Sequence, residues 1–240
     1  MKIQMKKIGL LFIAILIASQ GCAQTSIFNE LLQKNVTKKG VVDYYSLKKD
    51  TSKLDSYISY LEKNSPGNSW SKKKQKAFWI NTYNAYTIKI ILENYPLKSI
   101  TDIKKEGKTA WEIPFINVGG IKYSLDYIEH EILIKTLFDP RIHVGINCAS
   151  RSCPKLSNIA FTEENIEPTL EALMSGFIND PYKNKITETA VRISSIFKWF
   201  AKDFTKNTTL IYYLNKYSKT KINLDAKTSY LKYDWSLNGK

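Results

Sequence analysis

The stretch KKKQKAFWINTYNAYTIKIILEN, Lys72 to Asn94, carries the strongest helical signal in the chain. Ser69 or Ser71 supplies a cap ahead of it and Pro96 a stop behind it. At about 100° per residue, Ala77, Ile80, Asn81, Asn84, Ile88, Ile91 and Leu92 share one face. Trp79, Tyr86 and Ile90 make a second apolar patch, while Thr82, Lys89 and Glu93 cluster elsewhere. A helix apolar on two sides must pack on two sides, which predicts the central helix of its domain. Asn81 and Asn84 fall inside the apolar stripe, so each amide needs a buried partner. That partner is either the backbone of an irregular loop or, in a reactive site, an oxyanion or an imidazole.

Outward from this helix, the pattern predicts helices over about Ile27 to Gln33 and Leu54 to Leu61, with a short extended piece from Val41 to Tyr44 between them. After the central helix, Gly119-Gly120 between Phe115-Ile116-Asn117-Val118 and Ile121-Lys122-Tyr123 reads as a hairpin turn, because two glycines supply the positive φ that tight turns need. Ser124 caps a helix from Leu125 to about Leu137. The alternating, β-branched run Arg141 to Asn147 predicts a strand. A helix then runs from Thr162 to Ile178 and a hairpin from Lys185 to Ser194. Helices follow over Phe197 to Phe204 and Thr209 to Tyr217, and a last strand over Tyr230 to Trp235. Mixed helices and hairpins without regular alternation indicate an α+β fold: one domain with a central helix packed against a small, mostly antiparallel sheet and hairpins.

The start of the chain fixes the setting. Lys2, Lys6 and Lys7 precede the apolar run Ile8 to Ala18, then Ser19-Gln20-Gly21-Cys22, the layout of an export signal. The run is shorter than the roughly 20 apolar residues a spanning helix needs. Residues 1–21 are therefore expected to be a lipoprotein-type signal peptide, with Cys22 lipidated and 22–240 the mature domain. Simple cleavage near Ala23, giving a secreted protein, is the alternative. The expected location is a bacterial cell envelope, periplasmic or outer-membrane, with the lipid making the membrane contact. The 240-residue chain, 43% hydrophobic and 12% aromatic, can bury one large core. Its formal charge of +14 raises the question of nucleic acid. Only Arg141, Arg151 and Arg192 of its 36 basic residues are arginine, however, and base and phosphate reading favour arginine. With export as well, nucleic acid is not expected as a partner.

The segment Arg141-Ile142-His143-Val144-Gly145-Ile146-Asn147-Cys148-Ala149-Ser150-Arg151-Ser152-Cys153-Pro154 sets one of the two histidines beside the two cysteines that follow Cys22. Cys148 and His143 read as a thiolate and base. In extended chain their odd spacing would put them on opposite faces, so a direct pair requires a sharp bend near Asn147; otherwise His130 is the only other imidazole. Cys153 precedes Pro154, a favoured first helical residue, which would set its sulfur at a helix N-terminus, and Arg151 would help either thiol ionise. A Cys148–Cys153 disulfide is the competing reading in an oxidising envelope. Zinc is not expected, because His143, Cys148 and Cys153 match no standard spacing and lack a fourth ligand. Glu129, within the apolar face of Leu125, Ile128, Ile132 and Leu133, needs a buried partner. It either orients a catalytic histidine or ties elements together.

Several stretches resemble the bacterial domain-of-unknown-function 547 family: Phe78-Trp79-Ile80-Asn81-Thr82-Tyr83-Asn84-Ala85, Ser124 to His130, Asp139 to Cys148, and Ser152-Cys153-Pro154. Ser194 to Phe200 with Asp203-Phe204, and Tyr233 to Asn238, are similar to its later motifs. The resemblance spans nearly the whole mature chain and implies no established activity. It marks Asn81, Asn84, Glu129, His130, His143, Cys148 and Cys153 as a polar set that converges on one pocket. The leading expectation is a thiol-dependent hydrolase or acyl transferase acting on a small-molecule, peptide or cell-wall ligand, without cofactor. Cys148 would attack, His143 move protons, Glu129 orient the imidazole and an asparagine amide steady the oxyanion; Asn81, Asn84, His130, Arg151 and Cys153 would line the binding site. The alternative is a non-catalytic envelope binding module stapled by Cys148–Cys153.

Overall fold

The computed structural model describes residues 24–240. The expected signal peptide and Cys22 lie outside the described residues. Helix α1 covers 24–35, followed by α2 (Tyr44–Lys49), α3 (Ser52–Lys63) and α4 (Lys72–Asn94). The hairpins β1–β2 (Lys104–Lys105, Lys108–Thr109) and β3–β4 (Ile116–Val118, Ile121–Tyr123) come next. A π-helix spans Tyr127–Thr136, α5 is Ile142–Gly145 and α6 is Ile166–Ile178. The chain ends with β5 (Lys185–Ile186), β6 (Ala190–Ile193), α7 (Ile196–Trp199), α8 (Ala201–Phe204), α9 (Leu210–Asn215) and β7 (Lys227–Tyr230). Short antiparallel pairs, with one parallel pair between β6 and β7, make an α+β fold as the sequence predicts.

Helix α4 occupies the boundaries read from its sequence, and Ser71 is its cap, accepting from the Lys74 amide at 3.2 Å. From Lys76 to Leu92 all but Lys89 are buried, because α2, α3, α6 and the π-helix surround it. One continuous hydrophobic core runs through these elements. The Gly119-Gly120 turn forms as predicted, with φ of 57° and 84°. It also serves α3, whose last-turn carbonyls of Leu61 and Glu62 accept the two glycine amides at 3.0 and 3.1 Å. A Cβ on Gly119 would stand 2.9 Å from Ser65.

Four expectations are corrected. Residues 142–145 form a helical turn and not a strand. Asp139 overrides the β-branched run by accepting from the Arg141 amide at 2.9 Å and, through its carbonyl, from that of Ile142 at 3.0 Å, which starts a turn directly after Pro140. Gly145 lets this turn sit against α4 and α6, since a Cβ there would be 2.9 Å from Leu170 and 3.1 Å from Ile80. No helix follows Pro154, so Cys153 is not at a helix N-terminus. The last strand lies earlier than read. Its ladder ends where the Leu231 amide bonds Ile193, and the chain beyond turns its aromatics inward. That tail then runs beside the cysteine loop, with Arg151, Ser152 and Asn238 amides bonded to Ser236, Asp234 and Ala149 carbonyls. The extended piece expected over Val41 to Tyr44 gives way at Tyr44 to α2, a helix the sequence reading did not predict, capped by Asp43, which accepts from the Ser46 amide at 3.0 Å.

Candidate functional site

Two asparagines of α4 clamp irregular backbone. Asn81 donates to the Phe161 carbonyl at 2.7 Å and accepts from its amide at 2.9 Å. Asn84 does the same across the cysteine loop, donating to Gly145 at 2.9 Å and accepting from Asn147 at 2.9 Å. Both amides are therefore engaged by loop backbone. Asn147 continues the chain of support: its amide donates to the Pro154 carbonyl at 2.7 Å, and its oxygen accepts from Ala149 and Asn238 at 2.9 and 3.0 Å. Ala149 takes a φ of 56°, a left-handed conformation that this side chain rarely adopts and that the surrounding bonds enforce. The bend required near Asn147 is thus present, and it folds residues 148–153 back on themselves.

The fold-back brings the sulfurs together. The Cys148 amide donates to Cys153 Sγ at 3.1 Å, and the Cys153 thiol hydrogen-bonds the Cys148 sulfur. Cys148 Sγ lies 3.1 Å from Ser150 Oγ and 3.3 Å from the Tyr233 hydroxyl, and Ser150 donates to Tyr233 at 3.0 Å. Both cysteines are free thiols, so the bridged form is not the one present. Hydrogen bonds from Cys153, Ser150 and Tyr233 outweigh burial and bring the Cys148 thiol down to about 6, while burial pushes Cys153 well above the ordinary thiol range. Arg151, expected to help, has an exposed side chain. The cation beneath the loop is Lys183, which donates to the carbonyls of Arg151 and of Cys153, the latter at 3.0 Å.

His143, on α5, is buried with both ring nitrogens turned to carboxylates. Nε2 donates to Asp203 at 2.8 Å, and Nδ1 stands 4.0 Å from Glu129. The ring stacks on Phe200 with centroids 4.0 Å apart. Glu129 also accepts from the Tyr83 hydroxyl at 3.2 Å, and its burial holds its carboxyl above the usual carboxylate range. None of His143's hydrogen bonds goes to a sulfur, so the expected direct thiolate–imidazole pair is absent. Cys148, Cys153, His143, Glu129 and Tyr83 instead line one cavity of about 110 Å³, closed by Trp111, Trp199, Phe200, Tyr233 and Trp235. His130 stays outside it, exposed and bonded to the Asp126 carbonyl at 3.1 Å. Asn81 instead borders a larger groove of about 790 Å³ on the far side of α4. Sequence reasoning missed Asp203, Tyr83, Tyr233, Ser150 and Lys183. Asp203 and Tyr233 fall within the family-like motifs, which was the one signal available for them.

Among the described residues no group of three His, Cys, Asp or Glu side chains is placed to hold a metal ion, and no helix is long and apolar enough to cross a membrane. Fold and site together define an α+β protein with a hydrogen-bonded thiol pair and an acid–imidazole–acid cluster on one aromatic cavity. Residues 68–178 match the model of the family described as "Protein of unknown function, DUF547", and over that stretch the chain is similar to that family. The match takes in α4, the π-helix carrying Glu129, α5 with His143 and both cysteines, but not Asp203 or Tyr233. No curated protein and no solved structure matches the chain.

Proposed function

We propose that this protein is a thiol-dependent acyl-transfer enzyme, a hydrolase or acyl transferase, with Cys148 as its nucleophile. The observation that carries the reading is the Cys148 sulfur itself. It is ringed by hydroxyl and thiol donors, ionised near neutral pH, and sits on the wall of the cavity that holds Glu129 and His143. A preformed thiolate needs no base to remove its proton. Cys148 Sγ forms a bond to a carbonyl carbon, and the Tyr233 hydroxyl, itself accepting from Ser150, donates to the oxygen that takes up the charge. The bond to the leaving group breaks as that group takes a proton from Glu129, whose burial keeps it protonated to higher pH than an exposed glutamate. Asp203 holds the His143 ring in place at 2.8 Å, so the imidazole can pass a proton between the leaving group, Glu129 and the second substrate. Water or an acceptor hydroxyl or amine then attacks the thioester, loses its proton through His143 to Glu129, and frees Cys148. At ~30 Å³ per water-sized group, about 110 Å³ admits an acyl group of roughly three or four heavy atoms beyond the mouth.

The sequence of residues 1–22 supports placing this chemistry in a bacterial cell envelope, anchored through a lipid on Cys22. The acyl-transfer reading is tested by mixing the purified protein with a short-chain activated ester and taking intact masses over time. An acyl group mapped to Cys148, absent from Cys148→Ala, supports it. Acylation no faster than that of the Cys148→Ala protein contradicts it. The mass of the mature N-terminus from cells decides the anchor: a lipid-bearing Cys22 is expected, and an unmodified N-terminus at or beyond Ala23 would refute it.

A further inference from the structure

The acyl-transfer scheme gives Cys153 no covalent step, yet the loop is built around that residue. Its sulfur is buried at 5% exposure and meets Cys148 from below, accepting the Cys148 amide at 3.1 Å while its thiol bonds the Cys148 sulfur. Cys148 is the more accessible of the two and opens on the cavity. Both sulfurs border the cavity, but Cys148 is the less buried, so a reagent meets Cys148 first, with Cys153 in hydrogen-bond contact with it. That is the division of labour between an attacking and a resolving thiol. The loop is also held in the shape that such a pair needs. Ala149 is left-handed, Asn147 ties position 147 to the Pro154 carbonyl at 2.7 Å, and Lys183 grips the carbonyl of Cys153 at 3.0 Å, putting a cation beside the thiol that must ionise second.

We propose that Cys148 and Cys153 form a dithiol that reduces small disulfides, a second activity of the same cavity. It shares the reactive Cys148 thiolate with the acyl-transfer reading but not the acyl step. The Cys148 thiolate attacks one sulfur of a disulfide R–S–S–R; that S–S bond breaks, one RS⁻ leaves and takes up a proton, and Cys148 carries a mixed disulfide. Cys153 gives its proton to solvent or to the departing thiolate and attacks the Cys148 sulfur. The second RS⁻ leaves, and a Cys148–Cys153 disulfide remains. Two electrons pass from the protein to the substrate, which becomes two RSH. An external thiol of the class of dithiothreitol restores the dithiol.

The test adds bis(2-hydroxyethyl) disulfide to the reduced mature protein and follows intact mass and peptide maps. The wild type is expected to release two thiols per protein, lose two hydrogens, retain no hydroxyethylthio group and yield a Cys148–Cys153 linked peptide. Cys153→Ser, which keeps a donor beside Cys148, is expected to stop with one hydroxyethylthio group on Cys148. Retention of that group by the wild type overturns the proposal, and because this is read in the wild type, it does not depend on the variant folding. A wild type that keeps the mixed disulfide but is acylated by the ester sinks this inference alone. One that reacts with neither reagent sinks both.

Discussion

Cys148 is made reactive by hydroxyl, thiol and amide donors and not by a neighbouring imidazole, which sets what substitution and pH should do. A hydrogen bond to a charged group is worth about 1.5–3 kcal/mol. Tyr233→Phe, which removes the donor 3.3 Å from the sulfur, should therefore raise the Cys148 midpoint by roughly one to two pH units, read from thiolate ultraviolet absorbance against pH. An unmoved midpoint would leave Tyr233 without a part in ionisation. The same depression is a stability statement. Because the folded thiol ionises near 6 and an unfolded one near 9.0, its contribution is full above 9.0, shrinks as pH falls, and is gone below about 6. Glu129 has the opposite sign. Its carboxyl is raised in the fold, so its contribution is full below the ordinary 4.5 and is lost as pH rises through the folded value. Glu129→Gln keeps the shape without the ionisable proton. It should preserve acylation by an activated ester, whose leaving group needs no acid, and slow turnover of an unactivated amide or ester by about 10²-fold or more.

At the scale of elements, the central helix works as a rack. Asn84 on α4 spans Gly145 and Asn147, the two ends of the step between His143 and Cys148. Asn84→Ala would strand a buried carbonyl and a buried amide, each worth about 1–3 kcal/mol, so a loss of about 2–6 kcal/mol in urea unfolding is expected, together with slower alkylation of Cys148. Asn81→Ala should cost comparable stability through Phe161 while leaving Cys148 alkylation unchanged, since its clamp lies on the other groove. Elements whose signals are local were legible in the sequence. The Ser71 cap and two-sided apolar pattern of α4, and the Gly-Gly turn, carry their own geometry. Arg141 to Asn147 was misread because β-branching is a weak local preference, while the turn at Asp139 and the close seat of Gly145 on Leu170 and Ile80 are decided elsewhere in the fold. Asp203 and Tyr233 reach the site from 60 and 85 residues away, so no spacing rule could pair them with His143 and Cys148. Asn81 and Asn84 show the reverse: the need for a partner was legible, and its identity was not.

Over the whole molecule, an ionic network ties α4, α5 and α6 behind the site. Lys76 of α4 and Arg141 meet Asp139, each at 2.8 Å, and Arg141 also reaches Glu167 and Glu171 of α6 at 2.6 and 3.1 Å. Burial raises the Asp139 carboxyl, but bonds from Arg141 and Lys76 outweigh it and hold it at about 2. The sign follows from the depression: stability from Asp139 is present above the unfolded 3.8 and is lost as pH falls toward 2. Circular dichroism melts should show a steep loss of Tm between about pH 4 and pH 2, and Asp139→Asn should flatten that slope. At neutral pH the same variant leaves Lys76 buried without its counter-charge and should cost about 3–5 kcal/mol. A variant as stable as the parent at pH 7 would show that the network contributes no net stability.

All of the chemistry assigned to the cavity requires that Cys148 be a thiolate at neutral pH through its hydrogen bonds alone. The rate of its alkylation by iodoacetamide, mapped to the residue and followed across pH, tests this most directly. The account predicts a rate that climbs through a midpoint near 6 and stays level to pH 8, with Cys153 scarcely labelled. A midpoint at the ordinary thiol value of 9.0, or Cys153 labelled ahead of Cys148, would contradict it.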